Sequence, residues 1–290
     1  MIRKYRARDL PAVLDWVTRC TSMHPQEATD VLADSIVYLY EQRGVLQGVA
    51  AVNAVERSSL GKTVELYLLT DPAARNRGIG GALWERAWPA VLAADPDTLT
   101  VQYRLEEEEG GARDFFAKRG FERWLGLHLM QYTGEKFPEP DLPVREYEDR
   151  DFDRYVQSLS DAFYELRREN DCRPYALTES VTKQSRDLLL QHREFIYVCA
   201  EEEARTKMIG SFAVKGPTEI DDLFIAPEFQ GQGYGRRLAQ FAVNRMLERG
   251  ANPVTLSVVT TNTTAYELYN SLGFQRVQTS EISRMTLKTP

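Results

Sequence analysis

The pattern of apolar and polar positions predicts strands and helices in alternation along the chain. In the second half, apolar runs at residues 195–200, 208–214 and 220–225 have the length of strands, and apolar residues recur at helical spacing between residues 236 and 250. The charged segment at residues 201–207 predicts a hairpin turn. The first half begins in the same way, with a short strand and then a helix. These elements predict an α/β fold in which helices flank a mixed sheet.

The same order of motifs occurs twice. Ile2-Arg3-Lys4-Tyr5 returns as Val144-Arg145-Glu146-Tyr147, and Gly120-Phe121 returns as Gly273-Phe274. A repeat of this length indicates two copies of a whole domain rather than a solenoid. We therefore expect a first domain at residues 1–133, a proline-rich linker at residues 134–143 and a second domain at residues 144–290.

A glycine-rich segment lies between a strand and a helix in each half. Gln230-Gly231-Gln232-Gly233-Tyr234-Gly235 follows an apolar run and precedes Arg236, and Arg75-Asn76-Arg77-Gly78-Ile79-Gly80 occupies the same place in the first half. Such a turn presents backbone N–H groups at a helix N-terminus, where an anion is favoured, and so predicts a phosphate site. Neither copy has the third glycine of a dinucleotide fingerprint or the Gly-Lys-Ser/Thr of a nucleotide P-loop.

These residues resemble the signature of the GNAT N-acetyltransferases, Arg/Gln-x-x-Gly-x-Gly/Ala between a strand and a helix. The second half adds Leu223-x-Ile225-x-Pro227 before the turn and Asn262-x-x-Ala265-x-x-Leu268-Tyr269-x-x-x-Gly273-Phe274 after it. The resemblance implies two tandem GNAT domains, each a mostly antiparallel mixed sheet flanked by helices. It also implies acetyl-CoA as acyl donor and no metal. The tandem layout is similar to that of the mycothiol synthases, whose C-terminal half is active.

The resemblance implies where the donor binds. The glycine turn would bind the pyrophosphate, and the main chain of the preceding strand would bond the pantetheine and polarise the thioester carbonyl. Asn262 would bond the CoA arm, cap its helix, or do both. The implied donor-binding positions of the second half are Leu223, Phe224, Ile225, Gln230, Gly231, Gln232, Gly233, Tyr234, Gly235, Arg236, Asn262, Ala265 and Tyr266. Those of the first half are Leu68, Leu69, Thr70, Arg75, Arg77, Gly78 and Gly80.

The catalytic residues implied by the resemblance lie in the second half. Tyr269 matches the family tyrosine that protonates the departing thiolate, and Glu219 matches the base of some members. Asp221 shares a strand face with Glu219, and Asp222 lies beside it. Deprotonation through water, or a merely solvated strand end, stays open for these carboxylates.

The first half departs from the motif set. Aligning Gly120-Phe121 with Gly273-Phe274 puts Phe116 opposite Tyr269 and Glu109 opposite Asn262. Since a phenylalanine cannot protonate a thiolate, we expect the first domain to be catalytically degenerate.

Composition and charge exclude several classes of binding partner. The net charge of -7 argues against a nucleic-acid partner, and the charged N-terminus leads into no apolar run typical of a signal peptide or membrane anchor. Three scattered cysteines and three solitary histidines form no disulfide or metal pattern. The resemblance implies acetylation of a primary amine of a small molecule or peptide, and together with this composition it leads us to expect a cytoplasmic monomer or homodimer. The alternatives are a non-catalytic acyl-CoA-binding regulatory protein and activity in the first half.

Overall fold

The computed structural model describes residues 1–288 except residues 22, 24, 59–60, 106–110 and 201–207. The chain forms two compact units, of which unit 1 comprises Met1–Trp124 with Ser280–Pro290 and unit 2 comprises Leu125–Thr279. The hairpin turn expected at residues 201–207 and the Glu109 position lie outside the described residues.

Unit 1 is a mixed sheet with helices on both faces. In spatial order its strands are β1 (Ile2–Lys4), β2 (Ser35–Gln42), β3 (Val45–Ser58), β4 (Gly61–Thr70), β5 (Thr98–Arg104) and most of β12 (Gln275–Thr286). Its helices are α1 (Leu10–Cys20), α2 (Pro25–Ala33), α3 (Ile79–Ala93) and α4 (Ala112–Ala117). Only β4 and β5 pair in parallel, and the other neighbouring strands are antiparallel.

Strand alternation gives unit 1 a core on each face of its sheet. Val37 and Leu39 of β2 pack with Trp16 of α1, whereas Tyr38 packs with Leu83 of α3. Because successive side chains of a strand point to opposite faces, a strand that is apolar at every position is buried on both faces. This explains why the apolar runs of the sequence are continuous.

Unit 2 has the same layered architecture. In spatial order its strands are most of β6 (Glu122–Tyr132), then β11 (Val254–Val259), β10 (Glu219–Ile225), β9 (Met208–Lys215), β8 (Ile196–Ala200) and β7 (Val144–Glu146). Its helices are α5 (Phe152–Glu169), α6 (Lys183–Gln191), α7 (Tyr234–Glu248) and α8 (Thr263–Ser271). Again one neighbouring pair, β10 and β11, is parallel. The expected α/β class, with two mostly antiparallel sheets flanked by helices, is confirmed.

The internal repeat is visible in a matched pair of ion pairs. Arg3 lies 2.6 Å from Asp9, and Arg145 lies 2.7 Å from Asp151. In both units the arginine comes from the first strand of the repeat and the aspartate from the turn that precedes the first helix. The repeated Arg and Asp positions therefore anchor the first strand to the first helix in each unit.

The compact units differ from the boundaries expected from the sequence. Residues 125–133 belong to unit 2, and residues 280–290 belong to unit 1. The reason is strand pairing, because β6 residues 127–132 pair with β11 and β12 residues 280–286 pair with β5. The proline-rich segment is also part of unit 2, where Phe137 exchanges hydrogen bonds with the buried Asn244 of α7.

Candidate functional site

In unit 2 the two parallel strands part before they end. β10 and β11 pair only at Glu219–Thr255 and Ile220–Leu256, although β10 continues to Ile225. On its other edge β10 pairs with β9, and the register shifts between Asp221 and Phe224. A β-bulge leaves main-chain groups outside the ladder and re-aims the side chains next to it. The result is an opening between strands at their carboxyl ends, with irregular backbone on one side.

The glycine turn follows directly at the end of β10. Gly231 and Gly233 have φ values of +73° and +80°, and a Cβ atom at either would meet nothing within 4 Å. Glycine is therefore required by the backbone conformation rather than by packing, and the space in front of the turn is open. Gly233 caps α7 without a side-chain hydrogen bond, so the first-turn N–H groups keep their donor capacity.

Side chains of the same segment brace the turn. Gln230 donates its side-chain N–H to the carbonyl of Ile225 at 2.9 Å, and Gln232 does the same to Glu228 at 2.9 Å. Arg236 donates to the hydroxyl of Ser271 at 2.6 Å. The two glutamines thus fix the shape of the turn, and Arg236 adds a positive charge to a helix N-terminus that already favours anions.

The second motif forms helix α8. Asn262 caps this helix by accepting a hydrogen bond from the N–H of Ala265 at 3.1 Å. Of the two roles predicted for Asn262, helix capping is the one seen in the structure. Tyr269 is buried, and burial raises its pKa to about 12. The phenol therefore stays protonated throughout the physiological pH range and is a hydrogen-bond donor, not a base.

Most of the residues predicted to bind the acyl donor meet on the α7 face of the sheet. The core there contains Ile225 and Tyr269, and residues from the bulge, the turn and α8 pack against it, namely Leu223, Tyr234, Ala265, Tyr266 and Leu268. Gly235 lies in the same place, since a Cβ atom there would contact Leu268 at 3.5 Å. Phe224 points to the other face, where it packs with Tyr155 of α5.

The carboxylates of β10 differ in their surroundings. Glu219 accepts a hydrogen bond from Ser257 at 3.4 Å and lies 3.9 Å from Lys215, and Asp221 accepts one from the N–H of Asp222 at 3.0 Å. Asp222 has a left-handed φ of +45° in the bulge. As a whole the residue is exposed to solvent, although its carboxyl is partly withdrawn from water. The lost hydration, and then the charge of Asp221, raise its pKa to about 6.

Unit 1 repeats the glycine turn. Asn76 and Gly78 have φ values of +60° and +81°, and Gly78 caps α3. Arg75 is half-buried, Arg77 is exposed, and a Cβ atom on Gly80 would lie 3.8 Å from the hydroxyl of Thr70. The same glycine turn at a helix N-terminus therefore exists in both units.

The strand before that turn differs between the units. β4 pairs with β3 in one continuous register from Thr70 to Thr63, through Leu68 and Leu69, so it has no bulge where β10 has one. Phe116 closes the same turn as Tyr269, because Phe121 donates its N–H to Phe116 at 3.2 Å and Phe274 donates its own to Tyr269 at 3.1 Å. Unit 1 therefore has the turn without the bulge and without the phenol.

Sequence reasoning did not single out Tyr155. This residue of α5 lies 6.1 Å, ring to ring, from Phe224, and its side chain is buried. No local pattern could have identified it, because its place near the bulge depends on how α5 packs across β9 and β10. The sequence only predicted a helix after the first short strand of this half.

No group of three or more His, Cys, Asp or Glu residues in the described part of the chain could hold a metal ion, and Cys20, Cys172 and Cys199 are not in disulfides. Within those same residues, no helix has the length and apolar character needed to cross a membrane.

Both halves of the chain are similar to known protein families. Residues 135–274 match the Acetyltransferase (GNAT) family, and residues 33–123 match an Acetyltransferase (GNAT) domain. A mycothiol acetyltransferase of Saccharopolyspora erythraea is 26% identical over 269 residues, which cover 86% of this chain and 85% of the relative.

Two solved structures share the fold over the whole chain. A GCN5-related N-acetyltransferase from Sphaerobacter thermophilus is 18% identical with a TM-score of 0.75, and the match covers 100% of this chain and 96% of that one. A tandem GNAT protein from the clavulanic acid biosynthesis pathway is 16% identical with a TM-score of 0.61, covering 100% and 99%. With a family match in each half, the chain belongs to the GNAT N-acetyltransferases as a tandem member.

Proposed function

We propose that unit 2 transfers an acetyl group from acetyl-CoA to a primary amine of a small molecule or peptide. The observation that carries the proposal is the coincidence, in one unit, of a parting strand pair with a bulge, an open glycine turn and a buried phenol. Unit 1 has the turn, and its strands β4 and β5 pair only at β4 residues 63–65 although β4 continues to Thr70, but it has neither the bulge nor the phenol. A single active unit follows.

The residues present fit acetyl-CoA. Gly231 and Gly233 leave an open surface at the N-terminus of α7, and the N–H groups of residues 231–236 would hold the pyrophosphate there. The main chain of Leu223, Phe224 and Ile225 at the bulge would bind the pantetheine and donate to the thioester carbonyl oxygen. When bound, acetyl-CoA supplies an activated acyl group that an amine can attack directly.

The protein's own groups then have three tasks. The parting strands position amine and thioester side by side, which removes most of the entropic cost of a bimolecular reaction. A carboxylate of β10, for which the sequence offered Glu219 and Asp221, takes a proton from the amine. Tyr269 keeps its hydroxyl proton at physiological pH and donates it to the departing sulfur.

The acceptor is proposed only by class. The relative from Saccharopolyspora erythraea is named for mycothiol, a small molecule, and it shares most of its length with this chain. This supports a small-molecule amine over a peptide. A cytoplasmic monomer or homodimer without a nucleic-acid or membrane partner remains our expectation.

Two other functions make different predictions. A regulatory acyl-CoA-binding protein would bind acetyl-CoA without turnover, and an active unit 1 would depend on its own glycine turn. An active unit 1 is not favoured, because unit 1 has Phe116 where unit 2 has Tyr269. A regulatory function is not favoured, because unit 2 has both Asn262 and Tyr269.

The test combines an amine panel with one matched pair of variants. Acetyl transfer to amino sugars, polyamines, amino acids, aminoglycosides and peptide N-termini is followed by loss of thioester absorbance, which the chain's own three cysteines do not disturb.

Gly233→Glu places a carboxylate in front of α7, and Gly78→Glu does so in front of α3 with the same backbone strain, since the two φ values are +80° and +81°. We expect only Gly233→Glu to abolish turnover. Sensitivity of Gly78→Glu alone would move the active site to unit 1, and acetyl-CoA binding without turnover on any amine would favour the regulatory function.

A further inference from the structure

Unit 2 has an open groove beside helix α7, away from the glycine turn. The groove has a volume of about 410 Å³ and is lined by residues of the edge strand β7, of β8 and of the second half of α7. This volume is within the range of small-molecule sites. Its apolar lining comes from Val144, Tyr197 and Phe241. Arg249, directly after the 15-residue α7, lies roughly 22 Å along the helix from the glycine turn, so the groove is separate from the donor site.

Most charged side chains that line the groove are paired within the protein. Arg145 lies 2.7 Å from Asp151, and Arg245 lies 2.6 Å from Glu248. Glu248 also lies 2.9 Å from Lys136. The fold therefore already balances the charges of Arg145, Arg245 and Glu248.

Arg249 is fixed in place but keeps part of its donor capacity. Its Nη1 donates to the hydroxyl of Tyr197 at 2.9 Å and to the carbonyl of Glu194 at 3.4 Å, and its guanidinium lies 4.9 Å from the centre of the Phe195 ring. Among the described residues, no carboxylate pairs with Arg249 and no group accepts from its Nε or Nη2. A guanidinium can bind a carboxylate through two parallel N–H donors. A fixed guanidinium with these donors unpaired therefore suits a carboxylate ligand.

Glu146 supplies a negative charge to the same groove. It is the register partner of Tyr197, the residue whose hydroxyl accepts from Arg249. Register partners on one face of a sheet have their Cβ atoms about 4.5–5.5 Å apart. Glu146 and Arg249 nevertheless form no ion pair, and the carboxylate of Glu146 has no other partner in the described part of the chain. Two opposite charges that line one groove without meeting each other fit a ligand that carries both charges.

Unit 1 shows that the shared fold does not need this pair of charges. At the place of Glu146 in the first strand, unit 1 has Lys4, and at the place of Arg249 after the helix it has Ala94. The sheet and the helix form in both units all the same. The two charges are therefore a property of unit 2 and not of the repeated architecture.

We propose that this groove binds a free amino acid with an apolar side chain. The ligand's carboxylate accepts from Arg249, its ammonium group donates to Glu146, and its side chain lies against Val144 and Phe241. The proposal does not depend on the proposed function, because the groove and the glycine turn are at opposite ends of α7. An amino acid bound here is a ligand of a second site and not the amine that is acetylated.

The experiment uses three probes that share one phenylethyl group. Phenylalanine has both charges, 2-phenylethylamine lacks the carboxylate, and 3-phenylpropionate lacks the ammonium group. Calorimetric titration of the full-length protein, without acetyl-CoA, gives a Kd for each probe. We expect each of the two analogues to bind about fivefold more weakly than phenylalanine, the effect of one exposed ion pair.

Variants of the two charged residues assign each contact. Arg249→Gln should weaken phenylalanine and 3-phenylpropionate about fivefold and leave 2-phenylethylamine unchanged, whereas Glu146→Gln should weaken phenylalanine and 2-phenylethylamine and leave 3-phenylpropionate unchanged. Arg249→Lys keeps the charge and should retain part of the affinity. The matched controls are Arg276→Gln and Glu179→Gln, which make the same changes at exposed residues of unit 2 outside the groove and should alter no Kd.

Three results would overturn the proposal. One is the absence of saturable phenylalanine binding by the wild type. Another is equal affinity for phenylalanine and 3-phenylpropionate, which would show an anion site without a place for the ammonium group. The third is a phenylalanine Kd that Arg249→Gln and Glu146→Gln change no more than the controls do, since the amino acid would then bind elsewhere on the protein. None of these results bears on acetyl transfer, which the amine panel tests separately.

Discussion

Replacing Glu281 by glutamine should destabilise unit 1 selectively. The Glu281 side chain is 0% exposed and accepts hydrogen bonds from Tyr103 at 2.5 Å and Arg113 at 3.2 Å, and Arg123 lies 2.8 Å away. It lies on β12 and is the register partner of Tyr103 on β5. The carboxylate therefore fixes the last strand of unit 1 to the rest of its sheet.

The size of the stability loss depends on how exposed the residues that contact Glu281 are. Removing one member of a fully buried ion pair costs about 3–5 kcal/mol, because a charge is left without water or partner. Here Arg113 and Arg123 keep 48% and 66% of their side-chain surface exposed, so neither is stranded. The free energy of unfolding then falls by about 2 kcal/mol. The loss comes mainly from the hydrogen bond with Tyr103 and from the amide N–H₂ of the new glutamine, which faces two cations. For a domain of this size that lowers Tm by roughly 4–8 °C.

Tryptophan fluorescence measures this change in unit 1 directly. The four tryptophans, Trp16, Trp84, Trp88 and Trp124, are all in unit 1. Their emission during thermal unfolding thus reports on unit 1 alone, and far-UV circular dichroism reports on both units. Glu122→Gln is the control, because it makes the same chemical change at an exposed position and should stay within about 0.5 kcal/mol. If Glu281→Gln shifts the fluorescence midpoint no more than this control, Glu281 does not hold β12 in unit 1.

Other predictions concern the ends of both units and the site. A chain that stops after Thr279 lacks residues 280–286 of β12, and its tryptophan emission should be red-shifted at 25 °C because β5 loses its neighbour. Tyr269→Phe should lower kcat about 10- to 100-fold with an unchanged calorimetric Kd for acetyl-CoA, and an unchanged kcat would remove Tyr269 as the acid. Glu219→Gln should lower kcat with an unchanged Kd for acetyl-CoA if Glu219 takes the proton from the amine, and an unchanged kcat would remove Glu219 as the base. Phe116→Tyr should leave unit 1 inactive, since it lacks the bulge as well as the phenol; acetyl transfer that survives Gly233→Glu in this variant would contradict that.

The sequence predicted the local elements well for a physical reason. Strands such as 220–225 and the helix after Gly233 depend on apolar periodicity, and the turn between them depends on glycines with positive φ values of +73° and +80°. These are short-range properties of neighbouring residues. For the same reason, the tandem fold and the glycine turn could be derived before any tertiary structure was known.

The domain boundaries could not be derived in this way. β12 pairs with β5, and Tyr103 and Glu281 are 178 residues apart in sequence. Many apolar strands of similar length could satisfy the edge of either sheet, and the choice depends on buried side chains from both partners. Only the three-dimensional structure shows that Glu281 has its partners in unit 1.

The candidate site also has features that the sequence predicts and features that only the tertiary structure shows. By itself the sequence determined that this protein has two glycine turns, one tyrosine at the position of the family acid, and a phenylalanine in the other copy. Only the tertiary structure decided that the bulge occurs in β10 and not in β4, and that Phe224 and Tyr155 pack together on one face of the sheet. Backbone turns are encoded by adjacent residues, whereas the hydration and charge around a carboxylate depend on groups that folding brings together from distant parts of the chain.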